Sequence, residues 1–497
     1  MGFILAAIGS AIGLGNIWRF SYLCYKDGGG AFLVPYFLAL LIVGIPLMIL
    51  ELGIGHRMRG SAPLSIARVS RKWEWLGWWA VLIVMYGIML YYTTVIAWCL
   101  NYVFYSVHLS WGTDPNNFFF HHYLQVSKGP FEIGEIRPPI LMSLGAVWFF
   151  CWLIVFFGIE KGVERANKIF MPLLLVLIAI LVFWSVNLEG AREGLKVYLH
   201  PDFSKITNKN IWIDAFSQIF FTLSLGFGIM IAYASYLPKK AEIVKDALYI
   251  SIGNCFFSVF AGFAVFGTLG YMAHSMHVPV DQVVDKSIGL AFVSYPKAIS
   301  LMPAFASLFG VVFFTALVIA GLSSGISIVE AFASALMDKF NFSRGGVVTF
   351  LCVTGFVGSI IFAAQSGLLW LDIADHFITH YGLVFVGILE CVVVAWIYKA
   401  SKLRKHINTV VPPALSTLWD IGVRYVTPAV LIWLAVNDLG SEFVPVADGK
   451  NFTFYGGYDG TAVLLIGPLW LIIALIGSLF MTLYPWKKEL ADKEHEN

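Results

Sequence analysis

Twelve consecutive residues near the start of the chain combine glycine, amide and guanidinium groups inside an apolar stretch. Residues 9–20 contain three glycines together with Asn16 and Arg19. Glycine in a helix interior costs about 1 kcal/mol relative to alanine, and a polar side chain inside a bilayer costs more. The pattern therefore predicts a broken helix that binds a ligand or an ion, because broken backbone survives in lipid only beside protein or a watery cavity.

Two further polar clusters interrupt apolar segments later in the chain. Residues 218–228 read QIFFTLSLGFG and residues 320–325 read AGLSSG. Hydroxyl and carbonyl oxygens without a carboxylate cluster suit a hard monovalent cation better than calcium. Two simpler interpretations stay open. The glycines could serve close helix packing, and the serines could bond to carbonyls one turn earlier.

The composition places these clusters in a membrane. The chain has 497 residues, of which 59% are hydrophobic and only 12% are charged, which excludes an ordinary soluble protein. A bilayer crossing takes about 20 apolar residues, and the first such segment lacks the basic start and cleavage site of a signal peptide. Twelve crossing segments are predicted, at 2–20, 31–55, 76–106, 138–158, 169–187, 211–236, 244–272, 304–336, 346–364, 379–399, 422–437 and 461–484.

Basic residues follow the even-numbered segments, as Arg57 and Arg59 do after the second and Lys239 does after the sixth. The positive-inside rule then places both termini in the cytoplasm. One loop disagrees, because Arg192 and Lys196 would lie outside. The net charge of +2 gives no indication of a nucleic-acid partner.

The two glycine-rich breaks fall in the first and the sixth segments, which occupy the same position in two halves of five. Because five is odd, the halves have opposite topology, and paired broken helices of this kind indicate a secondary-transporter site at the membrane midplane. We therefore predict a first inverted repeat at 1–190, a second at 211–400, and peripheral helices with a cytoplasmic C-terminus at 415–497.

The remaining reactive residue types do not form a catalytic set. All six cysteines lie in or beside predicted helices, so no external disulfide is expected. We find no metal-ligand spacing and no nucleophile–base pair, which argues against an enzyme. Four acids at or near membrane depth need partners: Glu51, Glu330, Asp375 and Glu390.

With these motifs the chain resembles the neurotransmitter:sodium symporter family, which includes the bacterial leucine transporter and animal amine, GABA and glycine carriers. The resemblance implies an all-α polytopic membrane protein of about 12 transmembrane helices, with a 5+5 inverted repeat and broken helices 1 and 6. The motifs that carry it are GSAIGLGNIWRF at 9–20, DGGGAFLVPY at 27–36, GIPLMILELGIG at 44–55, QIFFTLSLGFG at 218–228, ASY at 234–236, GLAFVSYP at 289–296 and AGLSSGIS at 320–327.

The resemblance implies two sodium sites. The first would use Ala11, Asn16, Thr222 and Asn254, with the substrate carboxylate completing the shell. The second would use the carbonyls of Gly9, Ile12 and Ala320 with the hydroxyls of Ser323 and Ser324.

The resemblance also implies a substrate site between the two ions. Gly13 stands where monoamine carriers have an aspartate, which favours an amino acid that brings its own carboxylate, held by the amides of Leu14 and Gly15 and the Tyr92 hydroxyl. A neutral hydrophobic or aromatic amino acid is expected. The full set of expected contacts is Ser10, Ala11, Leu14, Gly15, Ile88, Tyr92, Phe221, Thr222, Ser224, Phe227, Ser324 and Ile328.

Two gates follow by the same resemblance. Outside, Arg19 would pair with Asp375 over a lid of Phe221 on Tyr92. Inside, the expected residues are Tyr236, Glu330 and Asp338. In the family an arginine and a tryptophan before the first helix pair with this gate, so either such a segment is missing before Met1 or the inner gate is built differently. Ser21 stands where a proline usually follows Arg-Phe, so a less kinked outer half of helix 1 is expected.

Chloride dependence is a further hypothesis. Tyr36, Gln218, Thr222, Asn254 and Ser258 match the chloride site of animal members, whereas chloride-independent relatives commonly place a carboxylate there. The alternative is a serine bonded to backbone, with the charge neutralised elsewhere.

The function predicted is sodium-coupled import of an amino acid across a plasma membrane, of prokaryotic type, by a carrier that could form a homodimer. A channel and a non-transporting amino-acid sensor are the alternatives. Only the amino acid, ions and lipid are expected as partners.

Overall fold

The structure, a computed structural model, describes residues 2–284, 288–410, 415–442, 444–445 and 452–487. In this part of the chain, ten helices are long and apolar enough to cross a bilayer, and a bent pair at the start makes an eleventh. The spans that pass this test are α1 (Gly2–Ala11 and Leu14–Lys26), α2 (Gly30–Met58), α3 (Arg71–His108), α4 (Pro138–Phe156), α5 (Ile159–Val186), α7 (Ile243–Met276), α8 (Ala306–Phe340), α9 (Arg344–Ala363), α10 (Gly367–Ile397), α11 (Thr417–Gly440) and α12 (Gly460–Leu483).

The sixth predicted segment, α6, consists of two helices, Lys209–Thr222 and Ile229–Ala234. A helix rises 1.5 Å per residue, so the longer piece covers only about 21 Å of the roughly 30 Å hydrocarbon core. The two pieces must therefore act together, as the glycines between them predict. This arrangement confirms the predicted all-α architecture of about twelve crossings with breaks in the first and sixth.

Shorter elements connect the crossings. A two-stranded antiparallel ladder joins Val444–Pro445 (β1) to Phe452–Thr453 (β2) before α12. The longer connecting helices are Ala62–Val69, Ala191–Leu199, Tyr295–Leu301 and Ala400–Val410.

Two predicted helix starts were wrong. The tenth crossing begins at Gly367 rather than 379, and the fifth begins at Ile159 rather than 169. In both places charged residues, such as Asp375 in α10 and Glu164 in α5, lower the hydropathy of the first turns. Asp375 accepts a hydrogen bond from Tyr91 of α3, and Glu164 pairs with Lys168 one turn along its own helix. Each acid thus has a polar partner, so the helices continue through residues that hydropathy alone excludes.

Small residues allow the central helices to approach closely. The packing of α8 on α3 is the most extensive helix contact, and a Cβ at Gly321 would lie 2.5 Å from Ile96 of α3. The inner half of α1 packs against α5, α7 and α8. Its break therefore lies inside protein, where the surrounding helices can satisfy exposed backbone.

A buried ion pair joins the start of α3 to the end of α8. Lys339 pairs with Glu74, and neither side chain is more than 2% exposed. Glu74 also accepts hydrogen bonds from Trp78 at 3.0 Å and from Trp486, after α12, at 2.9 Å. The Lys339 ammonium lies 4.8 Å from the centre of the Trp486 ring. These contacts satisfy both charges and hold the end of α8 in place.

Candidate functional site

The first break divides α1 into halves that meet at 70°. The amide of Gly13, freed by the break, donates to Oδ1 of Asn16 at 2.8 Å. An asparagine three residues later thus satisfies the backbone where the second half begins, as a side-chain cap does at any helix start. The residue types that predicted the break also stabilise it.

The second break lies between the two pieces of α6. Ser224, Gly226 and Gly228 all have positive φ, at 54°, 76° and 72°. Glycine adopts this conformation at little cost, whereas Ser224 is strained there. The amide of Gly226 donates to Oε1 of Glu51 at 2.8 Å, and the Ser224 hydroxyl donates to the Ser10 carbonyl at 3.3 Å. The two breaks are therefore bonded to each other and to α2.

A cavity of about 450 Å³ lies where the breaks meet, and we call it the central cavity. It contains every substrate contact expected from the sequence, together with Gly13, Asn16 and Ile229. The Tyr92 hydroxyl accepts a hydrogen bond from the amide of Leu14 at 3.3 Å. Ile229 was missed by the sequence reasoning, although its place directly after Gly228 at the start of the inner piece of α6 was a usable signal. The lining residues are Ser10, Ala11, Gly13, Leu14, Gly15, Asn16, Ile88, Tyr92, Phe221, Thr222, Ser224, Phe227, Ile229, Ser324 and Ile328.

Oxygen atoms crowd around Asn16 on one side of the central cavity. Its Nδ2 lies 2.8 Å from each of three oxygens, which belong to Thr222, Asn254 and Ser258. An amide nitrogen carries only two hydrogens, so it cannot donate to all three. The cluster is buried and contains no carboxylate. Its donor set of amide and hydroxyl oxygens fits a sodium ion, and Ala11 lies on the same cavity wall.

A second oxygen cluster joins α1 to α8. The Ser323 hydroxyl lies 2.9 Å from the Ala320 carbonyl and 3.5 Å from the Ile12 carbonyl. The Ser324 hydroxyl lies 3.3 Å from the same Ile12 carbonyl. These neutral oxygens also fit a sodium ion. Gly9, the fifth expected ligand, lies where a Cβ would be 2.1 Å from Oδ1 of Asn167, so it lets α1 approach α5 closely.

Buried polar atoms without partners lie beyond the first oxygen cluster. In the described part of the chain, the Tyr36 hydroxyl and Oε1 of Gln218 have no hydrogen-bond partner, although Gln218 Nε2 lies 3.5 Å from the Gly15 carbonyl. Tyr36 faces Ser258, whose hydroxyl donates to the Asn254 carbonyl at 3.3 Å. Buried hydroxyl and amide groups with no acid among them fit a small anion such as chloride.

The outer gate residues are present but not paired with each other. The Arg19 guanidinium lies 5.3 Å from the centre of the Phe221 ring, and Asp375 accepts a hydrogen bond from Tyr91 at 2.6 Å. Within the described residues, no ion pair joins Arg19 to Asp375. Phe221 packs edge-on against Phe227, with ring centres 6.0 Å apart, rather than on Tyr92 as expected.

Above this gate lies a cavity of about 1250 Å³, lined by Asp372 and Asp375 of α10 among other residues. Asp375 therefore borders this open space and is bonded to Tyr91 instead of pairing with Arg19.

The residues expected at the inner gate do make contacts with polar partners. Buried Glu330 forms an ion pair with Arg344 and accepts from Ser334 at 3.2 Å. Asp338 accepts from the amide of Ser61 at 2.9 Å. Tyr236 is 57% exposed and lies beside Glu330 and Ser334.

Three further residues hold the inner side, and sequence reasoning missed all of them. They are Arg344, Ser61, and Arg59, which donates to the carbonyls of Ser235 and Leu237 after α6. Each contact joins residues at least 14 positions apart, and most join residues more than 170 apart, so no local pattern indicates them.

Comparison with known proteins gives the family. The family model described as the sodium:neurotransmitter symporter family matches residues 1–114 and 110–455. The chain belongs to this family. Its predicted membership is thus confirmed, and the protein is a sodium-dependent symporter with the leucine-transporter fold rather than an enzyme.

Three relatives show the sequence similarity in more detail. An uncharacterised sodium-dependent transporter of Methanocaldococcus jannaschii is 48% identical over 98% of both chains. The sodium- and chloride-dependent glycine transporter 1 of Xenopus laevis is 31% identical, over 87% of this chain and 76% of its own. The sodium- and chloride-dependent creatine transporter 1 of Oryctolagus cuniculus is 31% identical, over 96% of this chain and 82% of its own.

Proposed function

We propose that this symporter imports a neutral amino acid with an apolar or aromatic side chain. The central cavity carries the proposal, because it combines a polar end at the α1 break with an apolar wall. Among the described residues that line it, none has an acidic, basic or imidazole side chain. A zwitterion with an uncharged side chain matches such a lining, since a charged side chain would be buried without a partner.

The amides at the α1 break support a carboxylate at the polar end. Leu14 and Gly15 begin the outer half of α1, where the helix dipole favours an anion. The Leu14 amide donates to the Tyr92 hydroxyl at 3.3 Å, so both groups face the place proposed for the carboxylate. Gly13 provides no carboxylate to bind the amine of a substrate that lacks a carboxylate of its own. The glycine and creatine named for two relatives are both small zwitterions with a carboxylate.

The opposite wall supports a larger side chain than glycine has. Ile88, Phe227, Ile229 and Ile328 give the central cavity an apolar surface. Burying a side chain of leucine or phenylalanine size on such a surface stabilises binding by about 1.5–3 kcal/mol. Contacts of this kind separate related apolar amino acids weakly, so a panel of several substrates is expected.

Two sodium ions are proposed, one in each oxygen cluster. The first, near Asn16, would lie beside the substrate carboxylate, so ion and substrate would stabilise each other and bind with positive coupling. The second, at Ser323 and Ser324, would join α1 to α8 and favour one arrangement of the broken helix. Sodium supplies only charge here, while the chain supplies neutral oxygens.

Chloride is proposed as the third ion, at Tyr36, Gln218, Thr222, Asn254 and Ser258. Support comes from the hydroxyl of Ser258, which stands 2.8 Å from Asn16 Nδ2 with no carboxylate in the cluster. A buried cation site without an acid leaves charge uncompensated, and a bound anion offsets it.

Alternating access would proceed by movement of α1, α2, α6 and α7 against the remaining helices of the two repeats. Arg19 would then close onto Asp375 outside while the Arg344–Glu330 and Ser61–Asp338 contacts release inside. The proposed setting is a plasma membrane with both termini in the cytoplasm.

The test is uptake of a radiolabelled amino-acid panel into proteoliposomes, with sodium and chloride varied independently. We expect saturable, concentrative uptake of apolar amino acids that needs an inward sodium gradient and falls when gluconate replaces chloride. Sodium replaced by potassium on both sides is the control. Uptake at the same rate with and without sodium would contradict the proposal. Uptake confined to glycine or creatine would contradict the substrate class.

The same vesicles separate the alternatives. Counterflow of labelled against unlabelled amino acid requires a carrier, whereas a sensor binds without exchange. A channel would pass ions without saturation and without an amino acid.

A further inference from the structure

Two buried acids outside the proposed sites face each other behind the second break. Glu51 of α2 is 0% exposed and Glu390 of α10 is 2% exposed. The two carboxyl groups interact electrostatically. In the part of the chain that the structure describes, neither makes an ion pair or a hydrogen bond with a lysine, arginine or histidine. The pair therefore has no cation to neutralise it.

The carboxyl oxygens of the pair accept few hydrogen bonds. Oε1 of Glu51 accepts from the amide of Gly226 at 2.8 Å. Among the described residues, Oε2 of Glu51 and Oε2 of Glu390 have no hydrogen-bond partner. Two adjacent carboxylates buried without a cation cannot both stay ionised, because desolvation and mutual repulsion act in the same direction. One bound proton removes one charge and supplies a donor for the other carboxylate.

Gly226 connects the pair to the central cavity. It lies between Ser224 and Phe227, which line that cavity. A Cβ on Gly226 would lie 3.2 Å from the carbonyl of Leu383, which belongs to the same helix as Glu390. The unwound part of α6 is thus bonded to Glu51 on one side and packed against α10 on the other. A charge change in the pair acts directly on this segment.

We propose that Glu51 and Glu390 bind one proton between them, as a site separate from the sodium and chloride sites. The proton resides on Glu390, because Glu51 already accepts an amide hydrogen bond that favours its ionised form. The Glu390 carboxyl then donates to Glu51. Among the described residues, the buried thiol of Cys391, on the Glu390 helix, is a further titratable group that interacts with both acids.

Infrared spectroscopy of the purified protein tests this site. A protonated carboxylic acid has a C=O stretching band that a carboxylate lacks, and the band shifts in D₂O. We expect the double variant E51Q/E390Q to lose the intensity of one such band relative to the wild type. Loss of no band would show that both acids are ionised, and loss of two would show that both are protonated. Either result overturns the proposal.

Glu330→Gln is the matched control, since Glu330 is also buried but is paired with Arg344. It should lose no carboxylic acid band. If the glutamine variants do not fold, Glu390→Asp keeps an acid in place and should shift the band, while an unshifted band counts against the site. The readout needs no amino acid, so failure of the proposed substrate class leaves this test unaffected.

Discussion

The guanidinium of Arg19 lies over the ring of Phe221, and Asp375 is bonded to Tyr91 instead of to Arg19. Closing the outer side therefore requires Arg19 to move from an aromatic ring to a carboxylate. An exposed ion pair is worth up to about 1 kcal/mol, so we expect Asp375→Asn to lower the initial uptake rate by about fivefold.

Sodium binding to the solubilised protein should change much less than uptake in the Asp375→Asn variant. The matched control is Asp372→Asn on the same helix, because Asp372 is bonded to Tyr455 and Tyr458. Equal losses in both variants would remove the gate role of Asp375.

The hydroxyl of Thr222 is one of three oxygens around Asn16. Thr222→Val replaces that hydroxyl with a methyl group of similar volume. Losing one buried polar contact costs about 1–2 kcal/mol, so the sodium concentration for half-maximal uptake should rise about tenfold. Thr268→Val removes a buried hydroxyl of α7 outside the Asn16 cluster, which donates to the Ala264 carbonyl at 2.8 Å. A sodium dependence that is the same in both variants contradicts the first sodium site.

Gly13 lies too close to its neighbours to accommodate a methyl group. A Cβ at this position would lie 2.9 Å from the Tyr92 hydroxyl and 3.1 Å from that of Ser324. Overpacking costs about 1–3 kcal/mol, so Gly13→Ala should weaken amino-acid binding about tenfold. In Gly15→Ala the nearest atom is 3.8 Å away, in Phe221, and the loss should be smaller. Scintillation proximity binding measures both, and the reverse order would argue against the proposed position of the substrate.

Ser258 gives the chloride hypothesis a gain-of-function test. Ser258→Glu places a carboxylate in the cluster of Tyr36, Gln218 and Asn254, so uptake should persist when gluconate replaces chloride. Ser258→Gln is similar in size and uncharged, and should remain as chloride-dependent as the wild type or lose activity. If the glutamate variant still needs chloride, the anion is not acting as the missing charge.

Asp27, between α1 and α2, predicts a pH-dependent stability. It is 6% exposed, and burial, followed by the charge of Asp214, raises the pKa of its carboxyl to about 7 from 3.8. Between these values the folded protein keeps a proton that the unfolded chain has lost. The free energy of unfolding therefore falls as the pH rises through this window, and stays lower above it.

Asp27→Asn removes this titration. The variant should gain thermal stability over the wild type at about pH 8, and gain less at about pH 5. Asp202→Asn, in the adjacent exposed loop, is the comparison. A pH-independent difference between Asp27→Asn and the wild type would show that the Asp27 carboxyl titrates normally.

The sequence predicted the helix breaks well, because glycine and polar residues that interrupt a helix are easily recognised inside an apolar segment. Gly13, Asn16 and Gly226 would destabilise a continuous helix in lipid. In the structure their neighbours line one cavity. The side chains expected around the substrate converge there because all lie within a few residues of a break or on α3 and α8 facing it.

The gates were less predictable. Asp375 was identified, but its contact with Tyr91 depends on rotamers and on the conformation adopted. Arg344 and Ser61 reach their acids across the fold, with no periodic pattern. Local distortions were also missed, such as the π-helical turns Ile378–Gly382 and Cys391–Ile397 in α10. These turns depend on packing rather than on any residue that disfavours a helix.

The side chain of Asn16 contributes both to the helix break and to the oxygen cluster. Its oxygen satisfies the first amide beyond the break, and its nitrogen lies in the oxygen cluster shared by α6 and α7. A change of ion preference made at this residue would also change the angle of α1. If the proposed first sodium site is correct, engineering of lithium or potassium selectivity should therefore begin at the hydroxyl of Thr222, which can be altered without removing the cap on the Gly13 amide.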